Sequence, residues 1–276
     1  MAGEWWQERL YPTVAQAFVL NILLDTHSDY QHLVIAENDV VGRMLILDGI
    51  VQITERDAAV YQEMMAHVPI LGGERPAERV LIIGGGDGAI AREALRHPEV
   101  RQVVMVELDQ GVIDACQQWL PSLTCDHSDP RMQLVVGDGA AYVKTAAGGA
   151  FDAIIVDSPD PIGPAEVLFG SDFYTDVRHC LSEGGAAVFQ SGVPFFQEEE
   201  TAGIVRRLRE LFAQVAVYQA AVPTYYGGSM ALGLASKSAR PFSAPCLDFD
   251  GQYYNADIHR AAFALPTWWR SALALA

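Results

Sequence analysis

Asp157 and Asp160 belong to the run Asp157-Ser158-Pro159-Asp160-Pro161-Ile162-Gly163-Pro164, which directly follows Ala153-Ile154-Ile155-Val156. The apolar stretch predicts a buried strand, so two carboxylates stand just past its carboxyl end. Three prolines and a glycine stiffen the loop that carries them. Open α/β sheets bind ligands outside the carboxyl ends of their strands. A rigid pair of acids there can hold a cation and accept a proton from it. The same residues also fit a Pro-rich surface loop with two solvated acids, and the loop alone leaves both readings open.

A second candidate is Val80-Leu81-Ile82-Ile83-Gly84-Gly85-Gly86-Asp87-Gly88. Its order is strand, glycine turn, helix, in which glycines let a ligand approach the backbone. Asp87 argues against a pyrophosphate, which a carboxylate repels at short range; a ligand with positive charge suits the loop better. Glu107 ends the next predicted strand in Met105-Val106-Glu107-Leu108-Asp109. It lies about 20 residues beyond the glycines, where an acid commonly takes ribose hydroxyls. Asp138-Gly139 ends a third strand; Asp138 fits a helix N-cap, with adenine recognition additional. Asp109 also reads as a cap. Asp87, Glu107, Asp138 and Asp157 thus fall at the carboxyl ends of four successive predicted strands. An acid-lined site of this kind suits an adenosyl ligand carrying a sulfonium, used for transfer to an amine.

The elements that must position these acids change in character along the chain. Ala17–Leu24, His32–Ala36, Arg43–Leu47 and Val51–Thr54 predict short strands, with turns at Asn38-Asp39 and Asp48-Gly49. Asp57–Val68 has helical spacing and is expected to end near Pro69, before a Gly72-Gly73 linker. From Arg79 strand and helix alternate. Strands are predicted over 80–83, 103–106, 133–136, 151–156 and 186–190, with helices over 89–96, 112–120, 140–145, 172–181 and 198–211. Val215–Gln219 and Met230–Ala235 predict two last strands forming an antiparallel edge on a parallel sheet.

Composition sets outer bounds. The chain has 276 residues, 50% of them hydrophobic, and a net charge of −17. Mean hydropathy is +0.13, enough apolar content for a sizeable core. The negative charge disfavours nucleic acid and anionic membrane partners, and favours solubility or cationic ligands. Cys116, Cys125, Cys180 and Cys246 form no CxxC pair and no metal-ligand spacing with His, so free thiols are expected. No signal-peptide core and no apolar run near ~18 residues is visible, so a cytoplasmic location is expected. His67, His97 and His179 fall on predicted helices and read as surface or satisfied positions; His259 could touch the amine site or a subunit contact. Trp5, Trp6, Trp268 and Trp269 read as aromatics that pack the chain ends down, with an N-terminal lid as the alternative.

Taken together these residues resemble the spermidine synthase (polyamine aminopropyltransferase) family over nearly the whole chain. Besides the glycine loop, Val106-Glu107-Leu108-Asp109, Gly137-Asp138-Gly139 and Asp157–Pro164, the resemblance rests on Ser28-Asp29-Tyr30-Gln31, Leu47–Asp57 and Tyr61-Gln62-Glu63-Met64. It closes with Val222-Pro223-Thr224-Tyr225-Tyr226-Gly227-Gly228 and Tyr253–His259. Ala58-Ala59 departs from the family pattern of an acid and an aromatic residue, and Pro159 stands where relatives often have Ser or Thr. The resemblance implies an α/β fold: a seven-stranded methyltransferase-like (Rossmann-like) sheet over residues 61–276, with a small N-terminal antiparallel β domain over 1–60.

The resemblance also implies transfer of 3-aminopropyl from decarboxylated S-adenosylmethionine to putrescine, giving spermidine and 5′-methylthioadenosine, in polyamine biosynthesis. Asp157 would be the catalytic carboxylate, acting as general base. Gln31, Gln62, Asp87, Glu107, Asp138 and Gly139 would hold the donor, Asp87 taking its ammonium. Tyr61, Asp160 and Tyr225 would form the amine site. For Tyr61 and Tyr225, core or rim packing is an equal reading of the residues themselves. No cofactor or metal is expected beyond the donor as co-substrate. A homodimer or homotetramer is implied. The other readings of the residues are an S-adenosylmethionine-dependent methyltransferase and a non-catalytic polyamine- or nucleoside-binding protein.

Overall fold

The computed structural model describes residues 3–158, 167–168, 170–239 and 241–275. Five strands come first: β1 Glu4–Tyr11, β2 Val14–His27, β3 His32–Asn38, β4 Gly42–Leu47 and β5 Ile50–Thr54. They form one antiparallel meander in chain order. The turn at Asp48-Gly49 has positive φ at both residues, 48° and 87°. That geometry matches the twist of the flanking strands and suits a short polar residue followed by glycine. β1 is an element the sequence reading missed, and β2 is longer than expected. Much of β2 is exposed, so the hydrophobic alternation that reveals a half-buried strand is weak there.

Helix α1, Ala58–Leu71, leads into the second sheet and is buried on nearly every side. It was expected to stop near Pro69. It continues to Leu71 because Ile70 and Leu71 are buried in the main core, which holds the last turn despite the proline. The second sheet has seven strands: β6 Arg79–Gly84, β7 Gln102–Glu107, β8 Met132–Val136, β9 Phe151–Asp157, β10 Leu181–Gln190, β11 Gln214–Ala221 and β12 Ser229–Ser236. Their order is β11-β12-β10-β9-β6-β7-β8. β6 to β10 are parallel, and β12 runs antiparallel to both β10 and β11. The near-continuous Val/Ile/Leu runs of β6, β7 and β9 follow from burial on both faces.

The chain leaves β6 toward β7 on one side and returns to β9 on the other. This is a topological switch point, the place where open α/β sheets bind ligands. Helices α2 Ala89–Leu95, α3 Gln110–Trp119, α4 Gly139–Thr145, α5 Ser171–Cys180 and α6 Pro194–Leu211 connect the strands. β10 starts at Leu181, ahead of the expected Ala186, through a register irregularity between those two residues. Two short C-terminal helices, α7 Ala256–Ala262 and α8 Thr267–Ala272, were not foreseen. Each has under two full turns, too few for a clear helical period.

The C-terminal segment is fastened to α1 by a buried polar cluster. Glu63 accepts the backbone N–H groups of Gln252, Tyr253 and Tyr254 at 2.7–2.8 Å. Gly251 makes this approach feasible, since a Cβ there would sit 2.2 Å from Glu63 Oε2. His67 and His97 are buried, not surface positions, and share a 2.9 Å hydrogen bond. The other ring nitrogen of His67, Nε2, has no hydrogen-bond partner among the described residues and stands 3.4 Å from Glu93 Oε2. His259 is hydrogen-bonded to Tyr254 and to the Phe242 carbonyl, away from the amine site. Trp269 packs into the core, but Trp5 is 75% exposed and does not pin its end down. All four cysteines are free thiols. No helix among the described residues is long and apolar enough to cross a membrane.

Candidate active site

A cavity of about 490 Å³ opens at the carboxyl ends of β6 to β9, walled on its other side by the N-terminal sheet. Gln31, Tyr61, Gln62, Asp87, Glu107, Asp138, Gly139, Asp157 and Tyr225 all line it. Asp160, the remaining candidate, and Pro159 lie outside the described residues.

The glycine loop is shaped by conformation and by close approach. Gly84, Gly85 and Gly88 have φ of 82°, 71° and 77°, a region that glycine adopts at little cost. Gly86 is needed for space: a Cβ would lie 2.9 Å from the Glu107 carboxyl carbon. Asp87 is buried at the end of this loop, and its Oδ1 accepts the Ala89 N–H at 2.7 Å. Burial raises its pKa. Gln62 Nε2 faces Asp87 Oδ2 at 3.5 Å. A carboxylate oxygen can only accept, so the amide is oriented with Oε1 turned elsewhere. That buried oxygen has no hydrogen-bond partner among the described residues. An orphaned buried acceptor of this kind marks a place for a ligand donor.

Glu107, at the end of β7, is pushed up to about 7, first by burial and then by the charge of Asp109, against the backbone N–H bonds it accepts. Asp138 caps α4 through Oδ1, which accepts from Ala140 and Ala141 at 2.8 and 3.3 Å. Capping is what its contacts show, and its position on the cavity rim is additional. Asp157 stands at the end of β9, and Tyr61 donates a 2.7 Å hydrogen bond to its Oδ1. Withdrawal from water raises Asp157 to about 7, and the charges of Asp87 and Glu107 add to this; the Tyr61 bond only partly offsets them. Burial and the charge of Asp157 keep Tyr61 protonated, so it remains the donor.

Tyr225 presents its ring to Tyr61, centroids 5.7 Å apart, while its hydroxyl donates to the Gln52 carbonyl at 2.6 Å. Its loop is fixed by Asp57. That residue precedes α1 but makes no capping bond; its carboxylate accepts instead from Thr54 and from Thr224 N–H and Oγ1 at 2.6–2.9 Å. The sequence reading missed Glu8 of β1, which is buried against the cavity and bonded by Gln16 Nε2 at 2.7 Å. Burial raises it to about 7. Only the unrecognised strand would have revealed it, because nothing around Glu8 signals a site.

Glu63, His67 and Glu93 also come together, their nearest ligand-type atoms within 4.8 Å. This trio could suggest a metal, but it lies behind the cavity. Arg96 Nη1 stands 2.5 Å from Glu93 and 3.6 Å from Glu63, so a guanidinium already fills the cation's place.

The cavity therefore gathers Asp87, Glu107 and Asp157 without an ion-pair partner among the described residues, between two tyrosine rings and a glycine loop. The N-terminal sheet, residues 4–55, matches the family model described as spermidine synthase tetramerisation domain. Residues 58–244 match that of the spermine/spermidine synthase domain. The chain belongs to the spermine/spermidine synthase family. Its relatives include polyamine aminopropyltransferases from Pectobacterium carotovorum, 45% identical over 98% of this chain and 97% of the relative, and from Sodalis glossinidius, 46% identical over 98% and 97%. A crystal structure of spermidine synthase in complex with the transition state analogue AdoDATO superposes with a TM-score of 0.93 at 33% identity, covering 99% of this chain and 96% of the other. Spermidine synthase from Thermotoga maritima superposes at 0.91 and 34% identity, covering 99% and 95%. As a member of this enzyme family, the chain is an aminopropyltransferase with the family's seven-stranded fold.

Proposed function

We propose that this enzyme transfers the 3-aminopropyl group of decarboxylated S-adenosylmethionine to putrescine, giving spermidine and 5′-methylthioadenosine. The observation that carries this reading is the cluster of Asp87, Glu107 and Asp157 on one cavity, with burial raising each pKa. Three carboxyl groups in one low-dielectric space repel one another, and a polycationic ligand pair relieves that repulsion. A sulfonium with a free ammonium, together with a diamine, supplies such charge.

In the reaction the amine nitrogen attacks the carbon next to sulfur. The N–C bond forms as the C–S bond breaks, and its electron pair leaves on sulfur as a neutral thioether. Alkylammonium groups have ordinary pKa values near ~10, so the attacking nitrogen must first lose a proton. Asp157 takes it, and the Tyr61 hydroxyl keeps the carboxylate facing the nitrogen. Holding both reactants in line in one cavity lowers the entropic part of the barrier. Asp87 selects the donor: an ammonium is welcome beside it, whereas the carboxylate of ordinary S-adenosylmethionine is repelled. Glu107 and Gln31 serve the ribose, and Asp138 with Gly139 the adenine. Gln62 Oε1 accepts from the donor. The rings of Tyr61 and Tyr225 pack along the diamine's methylenes and face its charge. Asp160 keeps the role the resemblance implies, holding the distal ammonium.

The test is to incubate the purified enzyme with either donor and a panel of amines and to identify products by mass spectrometry. Spermidine plus 5′-methylthioadenosine, from the decarboxylated donor only, is expected. A methylated amine from ordinary S-adenosylmethionine would overturn the reading. The N-terminal sheet also supports a homotetramer, since Trp5, Val19 and Ile22 of β1 and β2 are exposed. Light scattering is expected to give four times the 30.1 kDa chain mass, and a monomer at micromolar concentration would remove that assignment.

A further inference from the structure

Asp109 is 3% exposed, and its N–H and carboxylate make four hydrogen bonds around the rim of the cavity. Its backbone N–H donates to Glu107 Oε1 at 2.8 Å. Its Oδ1 caps α3 by accepting from Gly111 N–H at 2.9 Å. Its Oδ2 accepts from Ser28 Oγ at 2.6 Å and from Gln31 Nε2 at 2.8 Å. One residue thus touches both Glu107, at the end of β7, and Gln31, in the turn between β2 and β3, which line the same cavity. Chemistry fixes the orientation of the Gln31 amide: a carboxylate oxygen cannot donate, so the NH₂ must face Asp109 and the carbonyl oxygen is left for the cavity.

We infer that Asp109 is a positioning residue that holds Gln31 as an acceptor beside the acceptor Glu107, so that this corner selects a ligand with two neighbouring hydroxyl donors. The inference rests on the proposed reading of the cavity as a nucleoside site. It assigns the hydroxyl specificity to a residue that need not touch the nucleoside.

Asp109→Asn is a sharp test because Asn caps helices about as well as Asp. With Oδ1 kept on Gly111, the introduced NH₂ replaces Oδ2. Two NH₂ groups then face each other, and Gln31 must turn over, presenting a donor to the cavity. Gln31→Glu in the same chain reverses this: one Glu oxygen accepts from the introduced amide and the other faces the cavity again. Gln31→Glu alone sets two carboxylates against each other.

Calorimetry with 5′-methylthioadenosine and its 2′-deoxy and 3′-deoxy analogues reads the outcome. In the unmodified protein, loss of the hydroxyl facing Gln31 is expected to weaken binding about tenfold, the size of one hydrogen bond. In Asp109→Asn the parent nucleoside should bind about tenfold more weakly and the deoxy penalty should vanish. The Asp109→Asn/Gln31→Glu pair should recover both. A purely structural role predicts that Asp109→Asn keeps the deoxy penalty or that the pair is worse than either single change, and either result overturns the inference. Absence of nucleoside binding by the unmodified protein would remove the nucleoside reading itself, and this inference with it.

Discussion

Asp157→Asn is expected to lower kcat by about 10²–10⁴-fold while leaving nucleoside binding intact. The Asn oxygen can still accept from Tyr61, whose hydroxyl lies 2.7 Å from Oδ1 in the wild type, so the cavity keeps its shape and loses only its base. The wild-type kcat/KM should fall tenfold per pH unit below about 7, because the acceptor must be ionised and its pKa is raised from 3.8 to about 7. kcat/KM reports the free enzyme; with the sulfonium and ammonium bound, the limb in kcat should move to lower pH. Stability should move the other way. A raised folded-state pKa contributes stability that is fully present below the unfolded value near 3.8 and lost as pH rises through about 7. Asp157→Asn is therefore expected to melt above the wild type at pH 8 and to approach it near pH 4. Unchanged turnover, or a wild-type acid limb that persists in the Asn variant, would take Asp157 out of the base role.

The same residue shows what the sequence makes legible. The ends of the strands that carry Asp157 and Glu107, and of the strand that leads into the Asp87 loop, were readable because a doubly buried parallel strand is a short apolar run with a sharp end. The edge strand before Asp138 is only half-buried but keeps the apolar run Leu134-Val135-Val136. Their convergence followed from one rule about strand ends in open sheets. What stayed hidden is what depends on partners far along the chain. Glu8 enters the site only because β1 pairs with β2, a sheet whose burial pattern is too shallow to show in the residues. Asp109 does read as a cap, and it is one. Its second oxygen, reaching 81 residues back to Ser28, has no local signature. The Glu63 cluster is hidden for the same reason, since its three donors are backbone groups of a segment without regular structure. The helix-end error at Pro69 is of the same kind: local propensity favoured a stop, and tertiary burial of Ile70 and Leu71 overrode it.

Gly84→Ala should be the most damaging glycine-to-alanine change among the described residues. Gly84 closes β6 opposite Asp157 of β9, at the switch point of the sheet. Its φ of +82° already disfavours any other residue, but conformation is the smaller part of the cost. A Cβ would lie 2.0 Å from the Asp157 carbonyl oxygen. Backbone cannot turn aside as a flexible side chain can, so the two strand ends must separate, and the Asp157 side chain moves with them. We expect a loss of about 3–5 kcal/mol in urea unfolding, combining left-handed strain with overpacking. Gly49 separates the two contributions. Its φ is +87°, yet nothing lies within 4 Å of its Cβ position, so Gly49→Ala should cost only about 1–2 kcal/mol, the strain alone. The kinetic consequence should differ as well. Material of Gly84→Ala that still folds should lose kcat, since the base is displaced from Tyr61, whereas Gly49→Ala should turn over normally. Equal destabilisation of the two variants would mean that the sheet end yields to the added methyl, and that Gly84 serves the turn without fixing the place of the catalytic carboxylate.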